Sequence, residues 1–220
     1  MESVALLVIA KEPVPGRVKT RLTPPCTPAQ AARLADAALR DTLDAIAETP
    51  AARKVLVFEG NPSAYVQNHE GLEVIPQRGH GLAERLAAAF EDVGQPALLV
   101  GMDTPQLTPA LLTQGIGSLH SEDAVLGPTL DGGYWCIGLT KPNTTVFTGV
   151  PMSSHSTCIR QRTRLHHLGL RTHELPLLRD VDTIEDAHAV AALAPASRFA
   201  EAVAATRARP RPRTHGPRPA

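Results

Sequence analysis

The sequence predicts one α/β domain, with a mostly parallel central sheet and helices on both faces. Continuous apolar runs of strand length recur, led by VALLVIA at 4–10 and PALLVGMD at 96–103, as expected of strands buried on both faces. Segments of helical periodicity alternate with these runs. At 220 residues and 43% hydrophobic composition, the chain suffices for one such domain, with or without a tail.

VALLVIA is the first strand, and the cationic loop AKEPVPGRVKTRL (10–22) leaves it. A helix then opens at Thr27, with Pro28 at its first position and Gln30 completing a capping box. Leu34, Ala35, Ala38, Leu39, Leu43 and Ile46 carry it to about Glu48. KVLVFEG (54–60) and LEVIPQ (72–77) are strands, and GLAERLAAAFEDV (81–93) is a helix with one apolar face. PALLVGMD follows, then a helix capped by Thr108-Pro109 that runs to about Leu119. DAVLGP (123–128) and YWCIGL (134–139) are strand-like around LDGG. A helix over 156–168 ends at Gly169, and RTHELP (171–176) is a strand. Thr183 caps a last helix into AHAVAALA, with Asp186 as its cap partner.

Composition narrows the classes. No run of about 18 apolar residues exists, so no membrane span is expected. Glu2 sits where a signal peptide would carry basic residues, and the chain reads as cytoplasmic. Cys26, Cys136 and Cys158 are widely spaced without a C-x-x-C, which argues against disulfides and a thiolate zinc site. After Thr206 come five arginines and no acid, which leaves residues 1–206 at a net charge of −5. Residues 197–206 read as a terminal helix and 207–220 as a disordered, solvated Arg/Pro-rich tail. Aromatics at 3% leave few stacking platforms, so nucleic acid is disfavoured as a partner.

Ligands of open α/β sheets bind beyond the carboxyl ends of the strands. Two of the four lysines, Lys11 and Lys19, stand in the loop after strand one, with Arg17 and Arg21. Gly16 lets backbone approach a ligand, and Pro13 and Pro15 stiffen the loop. Polyphosphate binding and a plain solvated loop both explain it; it is not a P-loop. Asp103 ends PALLVGMD as a hard oxygen ligand for Mg²⁺ or Mn²⁺, or as an ordinary turn residue. Asp131-Gly132-Gly133 fits a hairpin turn, or a loop over a small-molecule acceptor walled by Tyr134 or Trp135. Asp180 and Asp182, at i and i+2 of an extended segment, could share a metal with Asp103 or serve a helix N-terminus. His80, in QRGHG, could contact substrate.

AKEPVPGRVKTRL, GLAERLAAAF, GMDTP, LGPTLDGGYWCIGL and DVDTIED occur in this order. Together they resemble DUF2064, a family of small bacterial GT-A-type proteins of the nucleotide-diphospho-sugar transferase superfamily. The resemblance covers about residues 4–193. The ending is also similar to molybdenum-cofactor and phospholactate guanylyltransferases. The resemblance implies a single-domain, Rossmann-like GT-A fold over residues 1–196. It implies that Ala10, Lys11, Gly16, Arg17, Lys19, Arg21 and Gly81 meet the nucleotide, with the QRGHGLAERL segment (77–86) near base and ribose. Asp103 would be the metal aspartate, with Asp182 or Asp180 as second ligand, and Asp131, Gly132, Gly133 and Tyr134 would face the acceptor. Two departures stand out: Thr104 where the family suggests Cys, and PMSSHST (151–157) where it suggests a Trp-Ser-Thr-like acceptor segment.

Two chemistries fit. A nucleotidyltransferase would pass a nucleoside monophosphate to a small phosphorylated, phosphonate or carboxylate acceptor, with Lys19, Arg17 and Asp103 as catalytic residues. A glycosyltransferase would use a nucleotide sugar, with Asp131 a candidate base. The heavily cationic loop favours the first. A non-catalytic nucleotide-binding protein is the third reading, and a homodimer is admitted by all three.

Overall fold

The computed structural model describes residues 4–207. Seven strands form one sheet in the order β3-β2-β1-β4-β6-β5-β7. They are β1 (Ala5–Lys11), β2 (Arg53–Glu59), β3 (Leu72–Pro76), β4 (Ala97–Val100), β5 (Ala124–Pro128), β6 (Tyr134–Leu139) and β7 (Thr172–Glu174). The helices are α1 (Pro28–Glu48), α2 (Ser63–Val66), α3 (Leu82–Val93), α4 (Pro109–Ser118), α5 (Thr157–His167), α6 (Ile184–Leu193) and α7 (Arg198–Arg207). Single 3₁₀ turns sit at Thr20–Leu22 and Thr144–Phe147.

The sheet is parallel except at β6, which runs antiparallel to both β4 and β5. The reason is local: β5 and β6 are joined by the short Thr129–Gly133 turn, and a tight hairpin can connect only antiparallel strands.

Alternation along β1 explains the two layers. Leu6, Val8 and Ala10 pack with Leu39, Leu43, Leu112 and Ile116 of α1 and α4. Ala5 and Leu7 pack on the opposite face with Leu86 and Phe90 of α3 and Leu165 of α5. A third cluster joins α1 to α6 and α7 through Leu34, Val190, Phe199 and Val203.

The cap motifs form as their chemistry dictates. Thr27 Oγ1 accepts from Gln30 N, while Gln30 Oε1 accepts from Thr27 N. Thr183 and Asp186 make the same reciprocal pair at α6, and Thr108 Oγ1 accepts from Leu111 N at α4.

Some elements differ from expectation. β4 ends at Val100, so Asp103 lies in the turn beyond it rather than on the strand. β7 keeps only three residues of RTHELP. The single-turn α2 and the 3₁₀ turns are too short for periodicity to reveal. Arg207, assigned to the tail by its sequence, closes α7; the rest of that tail lies outside the described residues. Among the described residues no helix is long and apolar enough to cross a membrane.

Candidate functional site

A cavity of about 550 Å³ opens beyond the carboxyl ends of β1 and β4. Sheet order divides its lining. Ala10, Lys11, Gln77, His80, Gly81 and Arg85 come from β1 and the β3–α3 segment on one side. Gly133, Tyr134, Trp135, Met152, Ser153 and Ser154 come from β6 and the loop before α5 on the other. Asp103, Thr104 and Asp180 lie on the lining too. A smaller cavity of about 190 Å³ holds Lys19, Arg21 and Asp182 and shares Lys11 and Asp103 with the first.

On the β3 side, Gln77 joins three elements. Its amide donates to the carbonyls of Ala10 and Val57, while its oxygen accepts from Arg85 Nη1 at 2.9 Å. Arg85 also pairs with Glu59 and donates to Gly79 O.

The acidic centre is built by main-chain ties. Val181 N donates to Asp103 O at 2.9 Å, which holds the 180–182 segment against the turn after β4. Val181 is buried in the α1–α6–α7 cluster, so extended geometry turns Asp180 and Asp182 the other way. Carboxylate oxygens of Asp131, Asp180 and Asp182 all lie within 4.8 Å of one another. Burial, then repulsion from Asp131 and Asp182, pushes the Asp180 carboxyl up to about 6. Asp131 accepts from Thr129 Oγ1 at 2.6 Å and Gly133 N at 2.8 Å. The hairpin reading of Asp131-Gly132-Gly133 thus holds geometrically, and of the three only Gly133 lines the cavity.

The cationic loop divides in two. Lys19 adopts the left-handed conformation at φ 47° and turns its side chain inward, where it is only 8% exposed. Its Nζ lies 2.7 Å from Asp103 Oδ1 and 3.7 Å from Asp182 Oδ1, and it donates to Val181 O. Arg21 Nη1 lies 2.6 Å from Asp182 Oδ2. Lys11 and Arg17 are exposed and have no ion-pair partner among the described residues. Sequence reasoning treated the four cations as one phosphate-binding set; the fold sets Lys19 and Arg21 against carboxylates.

Asp180 and Asp182 converge with Asp131, which had been placed on the acceptor wall, while Asp103 faces Lys19. Ala10, Lys11, Gly81, Gly133 and Tyr134 line the main cavity, whereas Gly16, Arg17, Asp131 and Gly132 do not. Gly132 instead pins two loops: at φ +90° its Cα faces His155 O so closely that a Cβ would lie 1.9 Å from that oxygen. Gln77 and Arg85 belong to QRGHGLAERL (77–86), the segment that the resemblance sets near base and ribose, but neither they nor Ser153 stand out singly in the sequence. Ser153 lies within the divergent PMSSHST segment. With Lys19 it is one of the two described non-glycine residues at positive φ, and both flank the site.

The family model described as "Uncharacterized protein conserved in bacteria (DUF2064)" matches residues 42–154. The chain belongs to the DUF2064 family. A protein of Desulfovibrio desulfuricans G20, provisionally named a nucleotide-diphospho-sugar transferase, shares 28% identity over 93% of this chain and 94% of its own, with a TM-score of 0.81. A cytidylyltransferase of Leptospira borgpetersenii, at 14% identity over 93% of this chain and 94% of its own, superposes with a TM-score of 0.59. Glucosyl-3-phosphoglycerate synthase of Mycobacterium tuberculosis, in complex with Mn²⁺, UDP and glucosyl-3-phosphoglycerate, gives 0.53 at 11% identity, over 81% of this chain and 71% of its own. The last two show the fold alone. No curated protein sequence matches the chain. This DUF2064 chain has the single-domain, Rossmann-like GT-A fold of its superfamily.

Proposed function

We propose that this DUF2064 protein is a divalent-metal-dependent transferase that takes a nucleoside diphosphate sugar and moves its sugar to a hydroxyl acceptor. The division of the loop cations carries the reading. Of four carboxylates, Asp103, Asp131, Asp180 and Asp182, only Asp103 and Asp182 form ion pairs with Lys19 and Arg21 among the described residues. A divalent cation balances the remainder, which leaves Lys11 and Arg17 to match the two charges of a diphosphate diester.

The residues fit a metal. Three converging carboxylates are hard oxygen donors, and the Asp180 carboxyl is raised first by burial and then by repulsion from Asp131 and Asp182. Asp131, Asp180 and Asp182 would hold Mg²⁺ or Mn²⁺, with Asp103 beside them. Such an ion would supply charge neutralisation to a departing diphosphate.

The chain's own groups do the rest. Lys11 and Arg17 hold phosphate oxygens, and Ala10, Gly81, Gln77 and Arg85 bound the nucleoside space. The acceptor oxygen attacks the anomeric carbon, and the carbon–oxygen bond to the β-phosphate breaks with its electron pair staying on the diphosphate. The hydroxyl proton passes to Asp103, the carboxylate of the cavity lining that is left outside the metal set.

Nucleotidyl transfer from a triphosphate is the second reading, and Lys19 favours it. Were a metal to take the place of its ammonium beside Asp103, Lys19 would become a third cation for a longer phosphate chain.

The test is a thermal-shift panel on the full chain, with and without Mg²⁺. The ligands are UDP-glucose, GDP-mannose and the four ribonucleoside triphosphates, followed by detection of nucleotide release. A ligand at 100 times its Kd adds about 2.7 kcal/mol. A Mg²⁺-dependent shift with a nucleotide sugar supports glycosyl transfer, and one with a triphosphate alone supports nucleotidyl transfer. Binding without turnover of any nucleotide points to the non-catalytic reading. No shift with any ligand removes the whole proposal.

A further inference from the structure

The two sides of the main cavity differ in charge. Its cationic lining residues are Lys11, His80 and Arg85, and all three belong to β1 or the β3–α3 segment. Across β4, the lining carries no Lys, Arg or His among the described residues. It offers instead Tyr134, Trp135, Met152, Ser153, Ser154 and the carboxylate of Asp180. Two arginines of the neighbouring segments are committed elsewhere: Arg162 to Glu174, and Arg179 to Asp186 at 2.7 Å. His155 is exposed and lies outside the lining.

The remaining polar groups are hydroxyls. Ser153, held at φ 55°, is exposed and its hydroxyl has no partner among the described residues. Strain at a non-glycine residue persists where the surrounding structure enforces it, and such positions cluster at ligand sites. Ser154 Oγ is 3.1 Å from Ser156 Oγ. Tyr134 stands beside Met152, its hydroxyl 3.8 Å from the thioether sulfur. Trp135 is fixed by its Nε1 donating to Pro176 O at 3.0 Å, with its ring against Gly127.

We infer that this half of the cavity takes an uncharged or cationic hydroxyl or amino compound with an apolar face, and rejects phosphorylated and carboxylate acceptors. An anion placed here would lose water and find no Lys, Arg or His to pair with, while the charge of a divalent ion on Asp180 would be taken up by its own carboxylates. A neutral alcohol loses little, since Ser153 and Ser154 replace its water and the aromatic wall covers its carbon skeleton. The inference rests on the transferase reading and narrows it by replacing the anionic acceptors expected from sequence.

The test uses three probes of one shape: benzyl alcohol, benzylamine and benzyl phosphate. Each is titrated by ligand-observed NMR into the full chain with Mg²⁺, with UDP and GDP tried in turn as occupants of the nucleotide half. The alcohol and amine should bind at least tenfold more tightly than the phosphate. Ser153→Lys should narrow or reverse that preference, because it supplies the missing cation. Preference for the phosphate overturns the inference, and so does failure of all three probes to bind. Failure of every nucleotide and nucleotide sugar in the thermal panel overturns the transferase reading instead, so the two failures are distinguishable.

Discussion

Lys19 Nζ lies 2.7 Å from Asp103 Oδ1, and this contact closes the loop after β1 against the turn after β4. A buried ammonium there compensates an acidic group that would otherwise repel itself. Lys19→Met should therefore lower the melting temperature of the metal-free protein by several degrees, for a loss of about 1–3 kcal/mol. Mg²⁺ or Mn²⁺ should restore part of it, so the metal-induced gain should exceed that of the parent protein. An unchanged or smaller metal response would mean that the ammonium does not stand in for a cation.

Asp180 gives the stability a pH dependence of definite sign. Its folded carboxyl titrates near 6 against an ordinary value of 3.8. The folded state thus holds its proton more tightly than the unfolded chain does. The ionisation penalty is absent below the unfolded value and grows as pH rises to about 6, so stability falls across that window. Asp180→Asn should stabilise the metal-free protein at pH 7.5 by about 1 kcal/mol, a figure reduced for the half-exposed setting. The gain should vanish at pH 4. Metal-induced stabilisation of the parent protein should grow over the same interval, because the ligand must be deprotonated. Equal melting temperatures of variant and parent at pH 7.5 would contradict this account.

Much of this architecture was legible because its signals are local. Thr27 with Gln30 and Thr183 with Asp186 are caps within one turn, and VALLVIA declares a strand buried on both faces. Part of the cavity's rim was legible for a related reason: lining residues gather at or just past the carboxyl ends of parallel strands, as Lys11 of β1 and Asp103 after β4 do. Pairing between distant residues was not legible. Nothing local to Lys19 says that its side chain turns inward, and nothing in DGG says that Asp131 meets Asp180. The particular role of Gln77, holding the carbonyls of Ala10 and Val57, was not legible because it exists only once β1 and β2 are paired.

Gly132 and Gly16 make a contrasting pair. A Cβ at Gly132 would strike His155 O, whereas one at Gly16 would meet nothing within 4 Å; both have positive φ. Gly16→Ala should cost about 1 kcal/mol from backbone strain alone. Gly132→Ala must in addition push the hairpin turn away from the 152–158 loop, and should unfold the domain or lower its melting temperature well beyond the Gly16 variant. Thermal denaturation of the two side by side checks this, and equal losses would refute the clash.

The division of the loop cations predicts opposite responses from neighbouring arginines. Arg17 is exposed and has no ion-pair partner among the described residues, so Arg17→Ala should leave the melting temperature within about 1 °C of the parent. Its effect should appear with nucleotide: a loss of about tenfold in affinity for a diphosphate, shrinking as salt is raised. Arg21 pairs with Asp182 at 2.6 Å and is 69% exposed, so Arg21→Ala should also change stability little. It removes positive charge from an acidic group, however, and so should strengthen metal binding while leaving diphosphate affinity at saturating Mg²⁺ nearly unchanged. Calorimetric titration of UDP and GDP, at low and high salt and at saturating Mg²⁺, separates the two. If Arg21→Ala weakened the diphosphate as much as Arg17→Ala, all the loop cations would face the phosphate together. The charge match that favours a diphosphate sugar over a triphosphate would then fail.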